Sequence, residues 1–317
     1  MDDPEIAPPV ARVFPDRNCF DEAGYLYLYP DIAAGVDTGA IESGWQHFSV
    51  HGFAEGRHWL TQRDPMIGVS REIAPNEQMY LGNTPHYFNV GISALRCIET
   101  ALFSAQRSKE SIKTILDLPC GHGRVLRFLK NAFPAAQLTA CDLNRDGVDF
   151  CAKTFDAIPV YSQTMIEAIP LAQNYYDLIW CGSLLTHLTE EACAAFVRQF
   201  QQFLRPGGIA VFTTHGRKCA LELLTGRNKN GLTDQQISEL LSQLRQDGFG
   251  YVDYADQPGY GFNLVLPSVV MAKIIQPSTW HLLGYNESVW DRRQDVVCLQ
   301  RPWPNDTIAA SSRIWDQ

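Results

Sequence analysis

No two of the nine cysteines form a Cys-x-x-Cys pair, which removes the commonest zinc and redox frameworks. An odd number cannot all be bridged, so a reduced, cytoplasmic protein is expected. There is also no basic stripe: 26 Lys and Arg face 35 Asp and Glu, which argues against a nucleic-acid partner. No apolar run approaches the ~20 residues of a membrane span. The acidic, proline-containing start lacks the charged-then-apolar order of a secretory signal, so a soluble chain is expected.

What is present is ample apolar material, 45% of 317 residues, enough for one α/β domain and an additional segment. The net charge of −9 is uneven. Residues 1–60 hold ten acidic residues against Arg12, Arg17 and Arg57, and so carry most of it.

The most informative stretch starts as the β-type run Thr114-Ile115-Leu116-Asp117. It passes through Leu118-Pro119-Cys120-Gly121-His122-Gly123 and leaves as an amphipathic helix from about Arg124. Gly121 and Gly123 permit close approach of backbone to a ligand, and the free N–H groups of a helix start favour an anionic or polar one. Nineteen residues past Gly123, a second strand over 137–142 ends in Asp142, the usual place for a carboxylate that holds two ribose hydroxyls. A dinucleotide fingerprint needs a third small residue, and that position is Leu126. An NAD-linked oxidoreductase is therefore disfavoured.

Asp117, Cys120, Gly121 and Gly123 resemble the first motif of class I S-adenosylmethionine-dependent methyltransferases, with Pro119 in place of that family's usual first glycine. The resemblance implies S-adenosyl-L-methionine as cofactor and a Rossmann-like methyltransferase fold. That fold is an α/β, doubly wound, seven-stranded, mostly parallel sheet with an antiparallel last strand. It spans roughly residues 80–303. Residues 20–57, with a tyrosine-rich opening, a Pro30-Asp31 step and a Gly52-x-x-Glu55-Gly56-Arg57 close, resemble a short helical module found beside bacterial polysaccharide-pathway enzymes.

Four parts follow: an acidic helical module over 1–62, a linker over 63–82, the main domain over 83–303, and a tail over 304–317. A leading helix starts at Thr84-Pro85 and runs to about 105, with Val90, Ala94, Ile98 and Ala101 at helical spacing. Strands are expected near 114–119, 137–142, 157–162, 176–183 and 208–214, with helices near 124–133, 145–155 and 190–204 between them. Residues 217–277 form an excursion expected to act as a lid: a helix near 233–247, a Gly/Tyr/Asp-rich loop, and a short helix after Pro267. Strands at 280–287 and 295–301 close the chain as a hairpin.

Ligands of such sheets bind at the carboxyl ends of the parallel strands. For cofactor binding this edge offers Asp117, Pro119, Cys120, Gly121, Gly123, Asp142, Leu143, Thr164, Met165 and Cys181, with Tyr87 of the leading helix as a cover. His187 and His215, each after a threonine at a strand end, are the candidate bases for a hydroxyl acceptor. His47 and His51 have helical ligand spacing but no third partner, so no metal is expected. The expected activity is methyl transfer to a hydroxyl of a small molecule or glycan, the glycan following only from the amino-terminal resemblance. The alternative is a non-catalytic, cofactor-fold adaptor. In either case the acidic module can serve a protein partner or a homo-oligomer.

Overall fold

The computed structural model describes residues 17, 20, 22–57, 66–255, 257–276 and 278–304. The acidic start, Pro65 and the tail beyond 304 lie outside the described residues. The chain divides into two compact units, with the boundary between Val69 and Ser70.

The first unit contains α1 (Glu22–Leu28), α2 (Pro30–Asp37) and α3 (Gly44–His47), continued by the helical turn Phe48–Gly52. Pro30 opens α2, where a missing N–H costs nothing, and Ser43 caps α3 by accepting from the Gln46 amide. Tyr25, Ile32 and Phe48 form a small core with Phe20 and Trp45 packed against it. Tyr25 Oη lies 3.0 Å from His47 Nδ1. Among the described residues no group of three His, Cys, Asp or Glu is placed to hold a metal.

The second unit opens with α4 (Thr84–Ser104) and then alternates: β1 (Thr114–Asp117), α5 (Leu126–Ala132), β2 (Gln137–Asp142), α6 (Arg145–Phe155), β3 (Ile158–Tyr161), β4 (Tyr176–Cys181), α7 (Glu190–Phe203) and β5 (Leu204–Thr214). Next come α8 (Arg217–Leu224), α9 (Asp234–Asp247), β6 (Phe249–Tyr254), β7 (Gln257–Val265), α10 (Pro267–Val269), β8 (His281–Trp290) and β9 (Gln294–Gln300). The seven-stranded sheet has the order β3-β2-β1-β4-β5-β9-β8. The first five strands are parallel, and β9 runs antiparallel to both its neighbours. All of β1 and β4 is buried, as strands covered on both faces should be. Leu116, Ile179, Ala210 and Phe212 of the sheet share one core with Val197 and Phe200 of α7 and with Val270 and Ile274.

Three local expectations are corrected. Residues 70–82, read as part of a linker, belong to the larger unit. The buried Arg127 guanidinium explains this, because its Nη1 donates to the carbonyls of Ser70 and Glu72 at 3.0 and 2.8 Å. The Gly/Tyr/Asp-rich segment, read as a loop, is the antiparallel hairpin β6–β7. Its apolar alternation is short, Phe262 and Leu264 on one strand and Val252 on the other, and it becomes meaningful only against Ile237, Leu240 and Leu244 of α9. Finally, α8 was not foreseen; its Cys219 and Leu223 complete the same small core.

Candidate active site

The end of β1 delivers Asp117 and then a tight turn. Gly121 and Gly123 have φ of +50° and +77°, the left-handed region that favours glycine. α5 starts only at Leu126 and is seven residues long. The carboxylate ending β2 locks the turn: Gly121 N donates to Asp142 Oδ2 at 2.8 Å and Asn144 N to Oδ1 at 2.9 Å. A carboxylate oxygen has a second lone pair, so Asp142 retains accepting capacity toward a diol.

Above this turn lies a cavity of about 830 Å³. Its wall includes Asp117, Pro119, Cys120, Gly121, Asp142, Leu143, Thr164, Trp180, Ser183, His187, Tyr260 and Trp290. All lie at the carboxyl edge of the parallel strands or on the hairpin tip above it.

Asp117 is 1% exposed, and neither of its oxygens has a hydrogen-bond partner. Burial pushes its pKa well above the carboxylate range; the charge of Asp142 adds to this and Arg124 opposes it. An orphaned carboxyl in a ligand-sized cavity marks a place for a cationic or donating group.

His187 sits on the helical turn Leu185–His187, with Nδ1 2.8 Å from the Gly261 carbonyl. A carbonyl only accepts, so the proton sits on Nδ1 and Nε2 keeps its lone pair. Burial lowers the pKa, so the ring is neutral at pH 7. Behind it, Ser183 adopts φ of +58° and is fixed by a closed ring of bonds. Its amide donates to Thr213 Oγ1, Thr213 Oγ1 to Gln294 Oε1, and Gln294 Nε2 to Ser183 Oγ, at 2.8, 2.6 and 3.0 Å. Trp180 and Trp290 meet edge to face at 5.4 Å, and the Trp290 indole donates to Val90 O.

Several expected site residues lie elsewhere. His215 is 2% exposed, stacked on Phe262 at 4.4 Å and absent from the cavity wall. The β7 strand covers it, Val265 N donating to His215 O, and reading that strand as a loop had left the histidine open. Gly123 faces α6, where a Cβ would come within 2.3 Å of the Phe155 ring. Cys181 is sealed in the core, and Met165 is exposed beside the cavity without lining it. Tyr87 is buried off the wall, but its Oη donates to Glu77 Oε2 at 2.7 Å and so aims a wall residue.

Glu77, Arg124 and Trp180 line the cavity and had not been anticipated. Glu77 lay in the supposed linker, Trp180 read as core strand, and Arg124 as the first residue of a helix. Only Arg124 had a usable signal, its position directly after the glycine turn.

A parallel sheet closed by an antiparallel β9, with a carboxylate-lined cavity over a glycine turn, defines the Rossmann-like methyltransferase fold. Consistent with it, residues 115–208 match the family described as "Methyltransferase domain". That segment is similar to methyltransferase domains.

Among curated proteins, a malonyl-[acyl-carrier protein] O-methyltransferase of Enterobacter lignolyticus is 34% identical over 103 residues, 32% of this chain and 38% of that protein. A fatty-acid O-methyltransferase of Mycolicibacterium smegmatis is 28% identical over 102 residues, 32% of this chain and 36% of that protein. The chain thus spans well under half the length of these relatives. A solved S-adenosylmethionine-dependent methyltransferase of Clostridium acetobutylicum aligns at 13% identity with a TM-score of 0.44, over 69% of this chain and 92% of that one.

Proposed function

We propose that the protein is an S-adenosylmethionine-dependent O-methyltransferase acting on an uncharged hydroxyl. The observation that carries this is the presence, in one cavity, of the orphaned Asp117, the Asp142-locked turn and a neutral His187.

The residues present fit the cofactor. Asp142, with one free lone pair on each oxygen, suits the ribose diol, Asp117 suits the ammonium of the amino-acid end, and Leu143 and Thr164 lie where the adenine is expected. When bound, the cofactor supplies an electrophilic methyl group. The chain's own work is then positioning and proton handling. Trp180, Trp290 and Tyr260 exclude water and offer flat apolar faces, while His187 Nε2 accepts the hydroxyl proton. The Gly261 carbonyl, already bonded to Nδ1–H, holds the imidazolium that forms.

The named relatives have a malonyl carrier protein and a fatty acid as their acceptors. A glycan is the hydroxyl compound preferred for this chain, on the resemblance of residues 20–57. The hairpin tip at 257–260 lines the cavity, which supports its action as a lid over the acceptor. The eight described cysteines are free, in keeping with a cytoplasmic setting, and no described helix is long and apolar enough to cross a membrane.

The test is release of S-adenosylhomocysteine in the presence of a panel of sugars, polyols and carboxylic acids, for wild type and His187→Gln. Expected is turnover with hydroxyl compounds that His187→Gln lowers by roughly 10²–10⁴-fold while the KM for the methyl donor is unchanged. Because the His187 pKa is depressed, wild-type kcat should stay level down to pH ~6.5 and fall only below it. Donor binding with no turnover on any acceptor would favour the adaptor reading instead.

A further inference from the structure

Ser183 is a non-glycine residue in the left-handed region on the cavity wall, although the glycine beside it, Gly182, does not take that conformation. A serine held there is over-determined by its surroundings, and such positions gather at ligand sites. What holds it is the ring through Thr213 and Gln294, in which the direction of each bond can be assigned. The Ser183 amide can only donate, so Thr213 Oγ1 accepts from it. Thr213 is fully buried, and its hydroxyl donates to Gln294 Oε1. With the Gln294 amide turned round, that buried proton would lose its acceptor, so Oε1 faces Thr213 and Nε2 faces Ser183.

Ser183 Oγ is therefore used as an acceptor inside the ring, and among the described residues no hydrogen bond engages its own proton. The cavity wall thus carries an unspent donor at Ser183 and, in His187 Nε2, an unspent acceptor. Only Leu184, Leu185 and Thr186 separate the two, so the oxygens they engage belong to one small molecule. A lone hydroxyl would satisfy His187 and leave the serine proton unmet. We propose that Ser183 donates to a second oxygen of the acceptor, neighbouring the hydroxyl whose proton goes to His187, so that vicinal diols are preferred over mono-alcohols.

This rests on the hydroxyl-transfer reading above and narrows its acceptor from any uncharged hydroxyl to one with an oxygen neighbour. The Trp180, Trp290 and Tyr260 side chains of the same wall suit the apolar frame that carries such a pair.

The experiment measures S-adenosylhomocysteine release by wild type and Ser183→Ala with three probes: the vicinal cyclohexanediol, its isomer whose hydroxyls lie across the ring, and cyclohexanol. The across-ring isomer controls for the doubled number of hydroxyls. The readout is the ratio of kcat/KM between probes within each protein, which the folded fraction does not alter, and titration of S-adenosylmethionine runs alongside. Wild type should prefer the vicinal diol by about tenfold over both other probes, the scale of one neutral hydrogen bond. Ser183→Ala should lose that preference and keep its affinity for the methyl donor. Equal rates on all three probes in wild type leave hydroxyl transfer standing and overturn the second oxygen. A preference that survives in Ser183→Ala overturns the role of the serine. Weakened donor binding in Ser183→Ala with the preference intact assigns the proton to the cofactor, which also overturns the proposal. Transfer to none of the probes by a wild type that binds the donor removes the hydroxyl reading and the proposal with it.

Discussion

Asp117 shows what a buried carboxyl without a partner costs the fold. Its carboxyl is buried without a partner, and its pKa is raised by burial first and by Asp142 second. An acid whose folded pKa lies above its unfolded value loses stability as pH rises from the unfolded value through the folded one. Asp117→Asn removes that loss. The ligand-free variant is expected to melt above wild type at pH 8, because the amide carries no charge to desolvate. The gap should narrow toward pH 4, and donor affinity should drop. Scanning calorimetry at the two pH values decides this, and an unchanged or lower melting temperature at pH 8 would refute it. Residues of this kind were legible only in part. Asp142 could be read because a strand end fixes its place, whereas His215 was misplaced because long-range cover by β7 cannot be seen from its own neighbours. Arg124 was passed over since an arginine opening a helix ordinarily faces water.

Among the elements, the crossing of α4 and α5 positions the glycine turn. Gly91 makes that crossing possible: a Cβ there would fall 2.2 Å from the Phe128 ring and 2.7 Å from the Arg124 carbonyl oxygen. The ring can rotate, but the carbonyl belongs to the turn itself. Gly91→Ala should therefore cost about 1–3 kcal/mol of stability and also weaken donor binding, because the turn must shift. Urea unfolding together with ligand titration tests both effects; full stability, or lost stability with intact binding, would contradict the coupling. The same scale shows why most of the sheet was readable and the β6–β7 hairpin was not. Strands such as β1 and β4 are buried on both faces and announce themselves as apolar runs. β6 is only partly buried and interleaves tyrosine, glycine and aspartate, so its strand character comes from α9 packing on it.

At the scale of the whole molecule, the order of strands and helices followed from periodicity, and the cavity lies at the carboxyl edge of the parallel sheet, where the sequence reading expects a ligand. The rest of the cavity wall did not follow in the same way, because it is assembled from segments far apart in sequence: Trp180 in β4 and Ser183 after it, Tyr260 on the hairpin, and Trp290 at the end of β8. Such a wall has no local signature. The central claim is that the cavity over the glycine turn binds S-adenosylmethionine with Asp142 as a ribose ligand. Its most direct test is calorimetric titration of S-adenosylmethionine into wild type and Asp142→Ala. Binding at about micromolar Kd that Asp142→Ala weakens by at least about 1.4 kcal/mol, tenfold, is the expected result. Absence of binding to wild type, or equal affinity in the two proteins, would contradict the account.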